Sequence, residues 1–324
     1  MNDTELVYAM VLDGKGGGRE LSEEQVLNWK PEQGLLWVHL GLTDDETKPS
    51  WLERLGGIDG VTAGALRSEV PRPRAHSQGS NLLTVLRGVN FNPGSEPEDM
   101  VALRGRFEEN RIITLRRPKV MAIQDLRACL LVGRGPTDVG DFLVDLINRL
   151  LDRMIGLVGE LGESVDNLED RVLEERSHDL RPVLAKVRRQ AISLRRFMAP
   201  QRDVLSRLPN ESVPWLDDLH RARLREEAER IARYVEEIDA DRDRAAVTQE
   251  ELSSHLAERL NHTMFVLSVV TVVFLPLGLI TGLLGINVGG MPGVDNPWAF
   301  SIVSIGLTVM AVALLIVFRR LRML

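Results

Sequence analysis

Two long runs without a charged side chain close this 324-residue chain, and they constrain its fold more than any other feature. Residues 263–286 hold no Asp, Glu, Lys, Arg or His, and residues 298–318 form a second such run. About twenty apolar residues suffice for one helix to cross the ~30 Å hydrocarbon core of a bilayer. The pair therefore predicts two membrane-spanning helices, 263–286 and 298–318. Only residues 287–297 separate them, so the spans form a hairpin with a short outer loop.

Everything before the first run reads as water-soluble protein. The net charge is −7, and from Asn261 onward the charged residues are Asp295, Arg319, Arg320 and Arg322, so residues 1–260 carry −9. An acidic body argues against nucleic acid as a partner and favours attraction of cations. The start, Met1-Asn2-Asp3-Thr4-Glu5, has no basic region followed by an apolar stretch and is not a signal peptide. The single cysteine, Cys129, agrees with a reducing compartment. Arg319, Arg320 and Arg322 follow the second span directly, and positive residues mark its cytoplasmic end. A multi-pass protein of the cell inner (plasma) membrane with both termini in the cytoplasm is expected.

Residues 1–135 alternate short strand-like runs with helical stretches, the pattern of a cytoplasmic α/β domain. Strands are predicted at 6–12, 35–40, 81–91, 100–107 and 111–115, and helices at 22–29, 50–55 and 120–132. The glycine-rich residues 14–18 lack the spacing of a phosphate loop and read as a surface hairpin. His39 reads as a core or edge histidine. His76, His178 and His220 stand alone, and no metal cluster is visible by spacing. From Thr137, a predicted cap, the period becomes helical. Ile147, Met154, Leu161 and Leu168 recur every seven residues, with Leu143, Leu150, Leu157, Val165 and Val172 between them, which predicts a packing seam to about residue 176. A second helix is predicted over 179–208, and residues 136–214 form a helical hairpin. Its basic run, Lys186, Arg188, Arg189, Arg195 and Arg196, could bind an acidic partner but reads first as a solvated face or as pairing with acidic neighbours.

Between Pro214 and Pro276 there is neither proline nor glycine, and Leu224, Ile231, Ile238, Ala245 and Leu252 fall on one seven-residue repeat. Residues 215–262 therefore read as a stalk helix that continues into the first span, about 100 Å in all at 1.5 Å per residue. The expected architecture is an α+β membrane protein: a cytoplasmic α/β/α domain, a long stalk helix, transmembrane helices at 263–286 and 298–318, an outer loop at 287–297 and a basic cytoplasmic tail at 319–324.

Candidate functional residues concentrate at the membrane. Two helices cannot enclose a polar path, so conduction requires an oligomer. Ser268, Thr271, Leu275, Gly278, Gly282 and Gly285 follow three- and four-residue steps along one side of the first span, a pattern that fits close helix packing or a pore wall. Asn287, after Gly285 and Ile286, reads either as a helix cap or, repeated by symmetry, as a ring of neutral amide oxygens that binds a cation through its waters. From Thr263 to the end Asp295 is the sole carboxylate, and there is no Cys or His. Tight inner-sphere zinc sites need those donors, so a permeating metal keeps much of its water. Just before the span, Glu251, His255, Glu258 and His262 share one helix face, which reads as a solvated stripe or as a metal relay at the cytoplasmic mouth. No nucleophile-base pair or phosphate loop is present, and neither enzyme nor bound cofactor is expected.

Taken with its place between a long charged helix and a second span followed by arginines, Gly285-Ile286-Asn287 resembles the Gly-Met-Asn tripeptide of the CorA superfamily of divalent-metal transporters. The isoleucine, the following Val288-Gly289-Gly290-Met291-Pro292-Gly293, the run Val273-Phe274-Leu275-Pro276-Leu277, and the segments Glu98-Asp99-Met100-Val101 and Arg111-Ile112-Ile113-Thr114 are similar to its ZntB branch. The resemblance covers the whole chain. It implies a homopentamer with the first spans around the pore, Leu275, Gly278 and Gly282 in the pore wall, Asn287 as the outer recognition residue, and proton-coupled Zn²⁺ uptake. The expected partners are thus other copies of the chain, the lipid bilayer and divalent cations, with Mg²⁺, Cd²⁺, Ni²⁺ or Co²⁺ as other cargo. The competing readings are a magnesium or broad divalent channel gated by cytoplasmic metal and, in another class, a membrane-anchored helical scaffold or sensor.

Overall fold

A computed structural model of the chain describes residues 3–43, 50–58, 60–67, 72–175, 179–286, 293 and 296–320. It divides into two compact units, Met1–Gln249 and Glu250–Leu324. The first contains a seven-stranded sheet of β1 (Asp3–Leu12), β2 (Gly18–Glu20), β3 (Leu35–Thr43), β4 (Arg74–Gln78), β5 (Asn81–Gly88), β6 (Val101–Glu108) and β7 (Arg111–Arg116). Their order is β2-β1-β3-β7-β6-β5-β4. The β3/β7 pair is parallel, and the other neighbours run antiparallel.

Side chains alternate across a strand, so each strand supplies both faces of the sheet. On one face Ala9, Leu36, Val38, Leu40, Ile113 and Leu115 pack with Val26 of α1 (Glu23–Leu27), Trp51 and Leu52 of α2 (Trp51–Arg54) and Leu66 of α3 (Gly60–Arg67). The intervening residues Met10, Trp37, Phe107 and Ile112 are fully buried on the other face. Phe142 of α5 (Val139–Glu175) seals that side, with ring centroids 4.9 Å from Trp37 and 6.3 Å from Phe107. Ile123 and Leu126 of α4 (Met121–Leu131) are also fully buried. Covered on both faces, β3 reads as a nearly unbroken apolar run, as a central strand should.

Several local expectations shift. The cap of α5 is Asp138 rather than Thr137: Asp138 Oδ1 accepts the Asp141 N–H at 2.8 Å, while Thr137 Oγ1 donates to Asp141 Oδ2 at 2.7 Å. A carboxylate one residue later reaches the third free amide, which the hydroxyl at 137 does not. The glycine-rich stretch joins β1 to β2 as a hairpin, and the amides of Lys15 and Gly17 already donate to Asp13 Oδ1. In the α5 seam Leu157 is half-buried and Val158 takes its place in the core, since a helix of 3.6 residues per turn drifts from a seven-residue count.

The long helices follow. Behind α6 (Leu180–Arg207) comes α7 (Asp218–Leu284), unbroken through Pro276, and then α8 (Ala299–Arg320). The apolar repeat Leu224, Ile231, Ile238, Ala245 and Leu252 is buried throughout. Three residues after each of its first four members lies a buried polar group: Glu227, Tyr234, Asp241 and Thr248. Neighbours on α5 and α7 hold this row. Asn148 Nδ2 donates to Glu227 Oε1 at 3.1 Å, Arg230 Nε donates to the Tyr234 hydroxyl at 2.7 Å, and Arg244, which also pairs with Asp166 and Glu169, has Nη1 3.6 Å from Asp241 Oδ1. Of the basic run on α6, Arg195 pairs with Asp239 and Arg188 donates to Gln249 Oε1 at 3.4 Å.

Candidate functional site

Over residues 263–284 of the second unit, partly or fully buried positions on α7 are Phe265, Val269, Val273, Pro276, Leu277 and Ile280. Those on α8 recur at Ala299, Val303, Ser304, Leu307, Met310, Ala311, Leu314 and Phe318. Both sets keep the three-and-four spacing of a helix packed along one side. Ser268, Thr271, Leu275, Gly278, Gly282 and Gly285 are all exposed, and at 100° per residue they occupy the side of α7 away from Val269 and Val273. A β-carbon at Gly278 or Gly282 would meet nothing within 4 Å. Ser268 Oγ and Thr271 Oγ1 donate to the carbonyls four residues earlier, so neither leaves an orphaned hydroxyl donor in the span. Gly285 ends the helix, its N–H donating to Thr281 O at 2.9 Å, and Ile286 is exposed. Asn287 and Arg322 lie outside the described residues, as does His178.

Of the four residues at the start of this unit, Glu251 and His255 come together, with Oε1 and Nε2 3.9 Å apart. His255 Nδ1 is shielded from solvent without a hydrogen-bond partner. Glu258 and His262 are exposed one and two turns further along. The four do not close into a compact donor set within one chain.

Folding does build a donor set that spacing concealed. Among the described residues, the one place where three metal-ligating side chains come within 4.8 Å of one another is Asp138, Asp141 and His220. This corrects the reading of His220 as solitary: it is 5% exposed, with Nε2 3.4 Å from Asp138 Oδ1 and 3.6 Å from Asp141 Oδ1. Burial works against ionisation of Asp141, but the Thr137 hydrogen bond and the Arg223 guanidinium prevail and hold its carboxyl below the ordinary value. The sequence signal is a pair of matching helix starts. Asp138 caps α5 with Asp141 three residues on, and Asp217 caps α7 with His220 three residues on, its Oδ1 accepting the His220 N–H at 2.8 Å. His39 is a core histidine: it is fully buried, Nδ1 lies 2.9 Å from Thr114 Oγ1, and Nε2 accepts from Arg116 Nε at 3.1 Å.

A sheet-and-helix body is followed by two helices, Asp218–Leu284 and Ala299–Arg320, that carry stretches long and apolar enough to cross a membrane. The family model described as "CorA-like Mg2+ transporter protein" matches residues 32–320. The zinc transport protein ZntB of Pectobacterium carotovorum is 38% identical over 297 residues, 91% of this chain and 88% of the relative. The divalent cation transporter CmaX of Pseudomonas aeruginosa is 38% identical over 321 residues, 98% of this chain and 96% of the relative. A solved structure of full-length CmaX superposes with a TM-score of 0.84 at 36% identity and covers 98% of both chains. The chain belongs to the CorA-like family, whose members are divalent-cation transporters rather than enzymes.

Proposed function

We propose that this protein carries Zn²⁺ into the cytoplasm through a pore formed by the first spans of several copies, five by family likeness. One observation carries the reading: within a single chain, the side of α7 that bears Ser268, Thr271, Leu275, Gly278, Gly282 and Gly285 faces away from the buried side and has no cover. In a symmetric ring these side chains form the wall. Small residues let the helices approach one another, and Leu275 narrows the passage.

Asn287 stands at the outer end of that wall, after Gly285 and Ile286, and recognises the ion together with its water. An amide oxygen is a neutral acceptor, and the spans offer no thiolate, imidazole or Glu to strip the shell. At the inner end Glu251, His255, Glu258 and His262 collect or release the ion, a role that the 3.9 Å approach of Glu251 and His255 supports. Arg319, Arg320 and Arg322 keep both termini in the cytoplasm. Zinc as cargo rests on the relatives named zinc transport proteins, and proton drive on the family likeness of the sequence alone.

Magnesium is the second reading, favoured by the description of the matching family. Proteoliposomes separate the two. Zn²⁺ influx that exceeds Mg²⁺ influx and rises with an inward proton gradient supports the proposal. Mg²⁺ influx indifferent to pH supports the alternative.

A further inference from the structure

The amino-terminal ends of α5 and α7 meet around one imidazole. His220 Nε2 faces Asp138 Oδ1 at 3.4 Å and Asp141 Oδ1 at 3.6 Å, while its Nδ1 lies 2.9 Å from Asp217 Oδ1. From this geometry we infer that Asp138, Asp141 and His220 form a binding site for a zinc-class divalent cation within a single subunit, apart from any pore.

Two of the three donor separations approach those of a coordination shell. Around a tetrahedral ion with bonds of about 2.0–2.1 Å, neighbouring donor atoms sit roughly 3.3–3.4 Å apart. The two nitrogen-oxygen separations are close to that value. On the opposite ring nitrogen, Nδ1 accepts the Asp217 N–H at 3.4 Å and lies 2.9 Å from Asp217 Oδ1, contacts that hold the ring with its Nε2 edge toward the two aspartates.

Charge leads to the same conclusion. Asp138, Asp141 and Asp217 bring three negative charges, and Arg223 Nη1, 2.7 Å from Asp141 Oδ1, returns one. The carboxylates and the guanidinium together leave a surplus of two negative charges, which a dication cancels. The set is more than surface acids, because the imidazole is buried and fixed. A β-carbon at Gly140 would stand 2.5 Å from its Nδ1, so the ring rests on the first turn of α5. The Asp138 oxygen is set by the Asp141 N–H, and Asp141 by Thr137. A nitrogen donor beside two carboxylates selects Zn²⁺, Co²⁺ or Ni²⁺ over Mg²⁺. Bound there, the ion ties the start of α5 to the start of α7 and stabilises the first unit by mass action.

The test reads binding rather than flux, so it stands or falls separately from the proposed transport. Full-length protein in detergent is stripped with chelator and dialysed against buffered Zn²⁺. Bound metal and thermal midpoint are measured for wild type, His220→Ala and Asp138→Asn. The asparagine keeps an oxygen for the cap, so it remains informative should the histidine variant not fold. The expected result is one zinc more per chain in wild type than in Asp138→Asn, a zinc-dependent rise in midpoint that the variant loses or needs at least about tenfold more zinc to reach, and no such rise with Mg²⁺. Equal zinc content and equal midpoint shifts in wild type and a folded variant would mean that the carboxylates merely clasp an imidazolium, and would overturn the site.

Discussion

Gly140 of α5 lies directly beneath the ring of His220, where an added β-carbon would stand 2.5 Å from Nδ1, 2.6 Å from Cε1 and 2.7 Å from Cγ. Alanine is favoured over glycine in a helix by about 1 kcal/mol, but overpacking a buried ring costs about 1–3 kcal/mol. Gly140→Ala should therefore lower stability, by up to about 2 kcal/mol. In a His220→Ala background, where the ring is gone, the same change should stabilise. Denaturant unfolding of the four proteins of the cycle checks the reversal of sign.

His39 stays neutral in the folded protein. Burial, and secondarily the Arg116 charge, push its pKa from 6.5 to about 3. Between those values the unfolded chain binds a proton that the folded chain refuses. The stability is thus full above pH 6.5 and is lost as pH falls, at up to about 1.4 kcal/mol per pH unit. Wild type should lose stability more steeply than His39→Gln from about pH 6 to about pH 4. Parallel curves from unfolding titrations would contradict this.

Phe142 is fully buried, with Trp37 and Phe107 against it. Phe142→Ala should cost about 3–5 kcal/mol, enough to leave much of a marginally stable domain unfolded. Phe142→Leu should cost about half as much or less. Thermal midpoints and soluble yield give the comparison.

Asp241, in the polar row of α7, has its pKa raised chiefly by burial, against the pull of Arg244. The folded chain holds that proton more tightly than the unfolded one, so the charged form is a burden once pH exceeds the unfolded value of 3.8. Asp241→Asn should stabilise at neutral pH by about 1 kcal/mol or less, and the gain should vanish in acid. A loss of stability at pH 7 would show that the Arg244 contact outweighs the desolvation.

The long helices were legible because their signals are local and redundant. No glycine or proline interrupts residues 215–275, and the buried repeat on α7 falls on the positions that its apolar residues mark. The strands around Leu36 and Ile113 carry their own β-branched or apolar runs. By contrast β4 is Arg-Ala-His-Ser-Gln, an edge strand with no β-branched residue, and β2 has three residues. Both exist because a neighbour pairs with them. In α3, Gly60 and Gly64 lower the helix propensity, while Leu66 is fully buried, so packing decides where propensity does not. The cluster around His220 was illegible for a different reason: more than seventy residues separate it from Asp141, and only the fold brings them together.

The central claim is that copies of the chain conduct a metal ion past Asn287. Zn²⁺ influx into proteoliposomes, for wild type and Asn287→Ala with the oligomer verified for both, tests it most directly. Influx in wild type that falls at least about tenfold in the variant, with assembly unchanged, is the predicted result, as a lost ring of ligands requires. Equal influx in the two proteins, or none in either, would contradict it and leave the two spans as an anchor.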